Sequence, residues 1–462
     1  MSIDFPKNWK QVVLEDALDA LIDYRGKTPK KVDKGIPLIT AKVVKSGRIL
    51  PMDEFIADED YESWMVRGFP QISDIVVTTE APLGEVAQIK NANVALAQRI
   101  VTLRGKVDFL ENDFLLFLMQ SDFVQNQLEA RATGSTVKGI KQSELRKIIL
   151  PIPPIVEQKC IGKILSDLDD KIHLNNQINQ TLESIAQAIF KSWFIDFEPV
   201  CAKITAKREG KDTELAAMCA ISGKSEAEIE QMAEDDLAEL RATASLFPDE
   251  LMESELGEVP KGWDKYSLSK MIILIGGGTP RRSEPNYWNG DISWFSVKDV
   301  PNEGEVFVIT TQEKISELGL NKSSTKLLPV GTTIITARGT VGKIALVGHE
   351  MAMNQSCYGV QGINGVKQFM TYYLIKNAVE VLKKNTHGAV FDTITQATFD
   401  TVTSIKPSIE MMDLFESKVE KIMGHIKNNL YENNSLIALR DTLLPKLLSG
   451  EIDVSGLQGE VA

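Results

Sequence analysis

Two kinds of apolar spacing follow one another along the chain, and the succession occurs twice. Residues 72–79 and 332–336 are short runs rich in Val, Ile and Thr ahead of glycine-bearing turns, which predicts strands. Residues 113–128 and 369–384 carry apolar positions at helical spacing, which predicts amphipathic helices. From Ile161 the spacing becomes a 4-3 seam: Ile161, Leu165, Leu168, Ile172, Asn175, Asn179, Leu182, Ala186, Ile189, Trp193. An offset of 254 gives Phe415, Val419, Ile422, Ile426, Asn429, Asn433, Leu436, Arg440, Leu443, Leu447. A 3.5-residue seam of this length predicts a coiled coil. Its polar interruptions, Asn175 and Asn179 against Asn429 and Asn433, fall at matching places. Asn at such positions lowers stability but can fix register and partner. Apart from Ala186/Arg440 the apolar seam is kept.

Pro151, Pro153 and Pro154 precede the first seam, and a proline fits only the first turn of a helix. An intramolecular antiparallel pair is the natural geometry for two such helices. With about 40 residues at 1.5 Å each, it would form a rod of roughly 60 Å with one globular domain at each end.

The seam is one part of a wider duplication. Pro6-Lys7-Asn8-Trp9 recurs as Pro260-Lys261-Gly262-Trp263, and Gly26-Lys27-Thr28-Pro29 as Gly277-Gly278-Thr279-Pro280. Residues 75–84 (IVVTTEAPLG) recur as 333–342 (TIITARGTVG), Ala95-Leu96-Ala97-Gln98 as Ala352-Met353-Asn354-Gln355, and 134–140 as 388–394. The order is the same throughout. The expected fold class is therefore α+β: two tandem mixed α/β domains, separated by two long helices forming an antiparallel coiled coil, in a pseudo-two-fold internal repeat. The expected boundaries are 1–152 for the first domain, 153–197 for the first long helix and 198–258 for a connector. The second domain is expected at 259–406, the second long helix at 407–450 and a tail at 451–462. Within the connector, 225–241 could form a polar helix, and the segment is expected to be partly mobile.

Charge refines this picture. The net charge of −13 argues against nucleic acid, but residues 198–258 alone contribute −10, so the rest of the chain is nearly neutral. Residues 25–48 hold eight basic side chains and one acid, Asp33, and residues 318–349 hold no acid. Four scattered cysteines with no CxxC pair argue against a disulfide framework or zinc knuckle, and a cytoplasmic protein is the default. No apolar run reaches the ~18 residues of a membrane span.

Catalytic motifs are not found. There is no GxxxxGK[ST], no Asn/Asp-Pro-Pro-aromatic tetrapeptide of the kind amino-methylating DNA enzymes use, and no His pair at metal spacing. Gly276-Gly277-Gly278 lacks a GxGxxG continuation. The turn frame at 78–85 persists at 336–343 while charge reverses at Glu80/Arg338 and Glu85/Lys343. One scaffold with unlike loops could read two different ligands.

Taken in order, PKNW, GKTP, the strand-turn-glycine segment, LPIPPIVEQ at 150–158 and SWFIDF at 192–197 resemble the specificity subunit of type I restriction-modification systems. SELGEVPKGW at 254–263 and LRDTLLPKLLSG at 439–450 resemble it too, so the likeness covers nearly the whole chain. The resemblance implies two target-recognition domains, each reading one half of a split DNA site, with the helices as spacer. It implies no catalysis in this chain. Two methylation subunits would carry the S-adenosylmethionine chemistry, and restriction subunits with a motor and nuclease would use ATP and Mg. The acidic connector is a departure that the family pattern does not explain.

Double-stranded DNA is thus the expected partner, and no cofactor is expected here. Candidate DNA-binding residues are Arg25, Lys27, Lys30, Lys31, Lys42, Lys45 and Arg48 in the first copy, and Arg281, Arg282, Arg338 and Lys343 in the second. Asn175, Asn179, Asn429 and Asn433 are candidates for coil register, with Asn175 facing Asn433 and Asn179 facing Asn429. Trp193, Phe194 and Phe197 are expected to be exposed near one helix end and to contact a partner subunit. A protein-binding adaptor would explain the rod but not the basic stretches. A lone methyltransferase or nuclease lacks its motifs.

Overall fold

The computed structural model describes residues 5–454 and 456, except 27, 46, 255, 256 and 386–392. The chain divides into two compact units, residues 1–172 with 434–462 and residues 173–433.

In the first unit a four-stranded antiparallel sheet runs in the order Leu18–Asp23, Ile100–Gly105, Ile75–Thr79, Leu83–Gln88. Alternate residues face opposite ways across a strand. Ile75, Val77, Val101 and Leu103 pack on one side with Phe114, Phe117 and Leu128. Val76, Ala87 and Ile100 pack on the other with Leu38, Ile39 and Leu96. Both faces are covered, which is why 75–79 reads as continuous rather than alternating apolar sequence. The helix expected over 113–128 is two helices, Asn112–Gln120 and Asp122–Arg131. Ser121 breaks it, because its hydroxyl caps the second helix at Val124 N.

The second unit repeats this plan. A five-stranded sheet runs Ile272–Gly276, Cys357–Gly362, Thr333–Thr336, Ile344–Val347, Phe307–Val308. Helix Gln368–Asn385 covers one face through Phe369, Tyr373 and Leu374. Phe295, Met353 and Cys357 cover the other. The Pro-Lys-x-Trp turns also correspond: Trp9 N donates to Pro6 O (2.9 Å), and Trp263 N to Pro260 O (3.1 Å).

The long helices are Ile155–Phe194 and Ile409–Ser449. The first begins just after Pro153-Pro154. In the second unit Asn175 Nδ2 donates to Asn433 Oδ1 (2.9 Å), Asn429 Nδ2 to Asn179 Oδ1 (2.9 Å) and Asn433 Nδ2 to Asn176 Oδ1 (2.7 Å). Numbers rise along one helix as they fall along the other, so the pair is antiparallel. Arg440, the break in the seam repeat, is satisfied within the first unit by Asp169 at 2.7 Å.

Two expectations are corrected. The connector is folded into helices Glu198–Glu209, Thr213–Ser222, Glu226–Glu230 and Glu234–Ser245. Asp212 and Ser225 cap two of them, and Ala217, Met218, Ile229 and Ala244 form a small core. The single helix expected over 225–241 is interrupted after Glu230. Trp193 and Phe194 are not exposed: they are 2% and 4% accessible, buried with Phe190, Phe247, Trp263 and Phe415. Phe197 is half-buried and edges onto Trp263. The aromatic cluster closes the core of the second unit where the helix meets its neighbours, and burial of its large rings outweighs leaving them to water.

Candidate nucleic-acid interface

Register pairing gathers the repeat-matched segments at one end of each sheet. In the first unit Asp23 pairs with Val101 and Thr78 with Ile100, so the loops after Leu18–Asp23 and Ile75–Thr79 emerge together, beside Gln98 and Arg99. Glu80 bridges to Gly139, and Ile140 N donates to Thr79 O (2.9 Å). In the second unit Gly276 pairs with Tyr358 and Thr336 with Cys357, gathering the loops at 277–283, 337–343 and 354–356. Arg338 bridges to Thr393, and Ile394 N donates to Ala337 O (3.0 Å). Four of the matched segments thus converge in each copy. Of the last match in the second copy only Thr393 and Ile394 are described, and 388–392 lie outside the described residues.

One turn frame serves both ends. The Thr78 hydroxyl accepts from Glu85 N (2.9 Å), and the Thr336 hydroxyl accepts from Lys343 N (2.9 Å). Gly84 and Gly342 have φ of 85° and 79°, a left-handed backbone that favours glycine. Two of the three glycines at 276–278 are packing devices, while a Cβ on Gly276 would meet open space. A Cβ on Gly277 would lie 1.9 Å from Asn354 O, and one on Gly278 2.3 Å from Ser324 Oγ.

The candidate cations divide by their surroundings. Lys30 and Lys45 in the first copy, and Arg281, Arg338 and Lys343 in the second, are exposed with no acid partner among the described residues. Arg25 lies near Asp23 (3.7 Å), Lys31 pairs with Glu54 (2.7 Å) and Lys42 with Asp53 (2.9 Å). The Lys42 hydrogen bond and charge hold the Asp53 carboxyl below its ordinary pKa. Arg48 donates to Asp169 O and approaches Asp170 (3.7 Å), so the long helix engages it. Lys45 shares its hairpin, whose Gly47 N–H bonds Val86 O in mid-sheet. Arg282 is bidentate to Glu313 and stacks 3.8 Å over Trp288, which locks it in place. Its hydrogen bonds hold Glu313 below the usual carboxylate range. Lys27 lies outside the described residues.

Four polar residues at these ends escape a search for basic clusters: Gln98, Arg99, Asn354 and Gln355. The signal for Gln98, Asn354 and Gln355 was the ALAQ/AMNQ match, and Arg99 follows it directly. Arg99 pairs with Glu80 at 3.1 Å, and Thr279 donates to Gln355. Nucleophilic chemistry finds no support at Cys357, whose thiol burial pushes up to about 12. No cluster of potential metal ligands occurs among the described residues. No helix among them is long and apolar enough to cross a membrane.

Comparison with known proteins agrees with this architecture. Residues 6–184 and 260–410 match the model of the type I restriction modification DNA specificity domain. The HindI specificity subunit of Haemophilus influenzae is 33% identical over 376 residues, covering 78% of this chain and 82% of that protein. The MjaIX specificity subunit of Methanocaldococcus jannaschii is 25% identical over 464 residues, covering 98% and 95%. Among solved structures, the type I S subunit from M. genitalium superposes with a TM-score of 0.53 at 15% identity, over 97% of this chain and 98% of that one. The fold is thus shared well beyond the level of sequence identity. The chain belongs to the type I restriction-modification specificity subunits: it recognises DNA sequence within such a complex and is not its catalyst.

Proposed function

We propose that this chain reads a split DNA site from its two sheet ends, one domain (1–152 and 259–406) per half, with an unread gap between two unlike short sequences. The observation that carries this reading is the convergence, in both copies, of matched loops bearing exposed cations. Lys30, Arg281, Arg338 and Lys343 contact phosphate or bases, while the paired cations shape the loops. The four seam Asn residues fix coil register and with it the gap.

Two methylation subunits and the restriction subunits bind this chain in the cytoplasm. S-adenosylmethionine, ATP and Mg act in those partners. Exposed Leu174, Ile178 and Ile185 on the first long helix, and Ile437 and Leu439 on the second, suit partner helices. Counterion release makes phosphate binding steeply salt-dependent. Gel shifts of the assembled complex at 50 and 200 mM salt, conditions chosen for the roughly 10³-fold or larger loss expected of a protein with several phosphate contacts, test the reading. Salt-insensitive binding would overturn it.

A further inference from the structure

We propose that Glu80 and Arg338, which occupy the same place in the two repeats, each read one base, and that the bases differ: cytosine for Glu80 and guanine for Arg338. This rests on the DNA-reading function proposed above and adds which residues discriminate. Each side chain leaves a backbone held on both sides. On one side stands the threonine-closed turn, Thr78 to Glu85 N or Thr336 to Lys343 N. On the other stands the bridge to the following segment, Glu80 to Gly139 or Arg338 to Thr393. A held backbone at a sheet end can aim a side chain more accurately than a free loop can.

The chemistry differs at this shared place. A carboxylate only accepts hydrogen bonds, and DNA phosphate repels it. Glu80 at a DNA-facing end therefore has base amino groups as its partners, and cytosine N4 is the matching donor in the major groove. Arg99 Nε holds its Oε1 at 3.1 Å, which orients the carboxylate. Arg338 is exposed with no acid partner among the described residues, and its guanidinium fork has the geometry that guanine O6 and N7 accept. Arg282, the neighbouring candidate, is occupied by Glu313 and Trp288.

The experiment uses the full chain assembled with its methylation subunits and a duplex library randomised in both halves, with the bound fraction sequenced. In Arg338→Ala the preference for G at one base pair of one half falls roughly 10- to 100-fold, and the other half is unchanged. Arg338→Lys keeps the charge but loses the fork, so it keeps affinity and loses that preference. Glu80→Gln moves one position of the opposite half from C toward A, the base an amide can grip. An Arg338→Ala complex that is weakened equally on all sequences, or unchanged motifs in all three variants, overturns the inference and leaves the proposed function standing. A wild-type complex that selects no sequence overturns both.

Discussion

At the first sheet end Glu80 is tied to Arg99, and Gln125 Nε2 secures the turn by donating to Gly84 O at 2.9 Å. At the second, Arg338 has no acid partner among the described residues. There Gly342 faces Val379 beside a polar cavity of about 540 Å³ lined by Lys343, Lys376 and Glu183. Beneath this difference the two ends share strand order, turn glycine and threonine hydroxyl. The duplication has kept what holds the backbone and changed what the backbone presents. Frame and decoration should therefore respond separately to mutation.

The largest expected effect tests whether the frames are independent. Phe114 and Phe369 stand in the first turn of the matching helices and are 0% and 4% accessible. Truncating either to Ala should cost about 3–5 kcal/mol. Hydrogen exchange should show protection lost chiefly in the unit that carries the change. Equal loss in both units would mean that one cooperative core spans the chain.

A smaller effect tests the shared turn. Thr78→Val and Thr336→Val each leave a backbone N–H without its acceptor, at a cost of about 1–3 kcal/mol. Similar losses in chemical denaturation would confirm one frame. A loss confined to one copy would show that the other turn is held by its surroundings, with Gln125 the first suspect in the first unit.

Much of this frame was legible in the sequence because it rests on local signals. Strand runs, turn glycines and a 254 offset need no knowledge of distant contacts, and the seam placed Asn175 opposite Asn433. Legibility failed where tertiary packing decides. Trp193 and Phe194 look like an exposed apolar end until Phe415 and Phe247 are brought against them. The connector's negative charge hid its fold, although its caps and small four-residue core rest on local features. Among the candidate cations, sequence could not separate Arg338, which is exposed, from Arg282, which Glu313 and Trp288 hold, because those partners lie 31 and 6 residues away.

The smallest effect concerns how each recognition-domain helix is capped. In the first copy the Gln158 side chain accepts from Glu111 N (2.9 Å), and Gly162 sits against Phe114 N. In the second, position 416 matches 162 and carries Glu, whose carboxylate accepts from Phe369 N (3.0 Å) and Met370 N (3.1 Å). Burial raises the Glu416 pKa, and the two backbone hydrogen bonds offset this only in part. A carboxyl whose folded pKa is raised binds more protons folded than unfolded, so stability falls as pH rises through that window. Glu416 should therefore add stability as pH drops from neutral toward the ordinary carboxylate range, read as the difference between the wild-type chain and Glu416→Gln. Glu416→Gln should lack that gain, while a change at the neutral cap, Gln158→Glu, should introduce a pH dependence into the first unit. Melting temperatures of the three proteins from pH 7.5 to 5 provide the measurement. A Glu416→Gln profile parallel to wild type would show that the carboxylate stays ionised at this helix end, stabilised by its two N–H donors and the helix dipole more than burial opposes it.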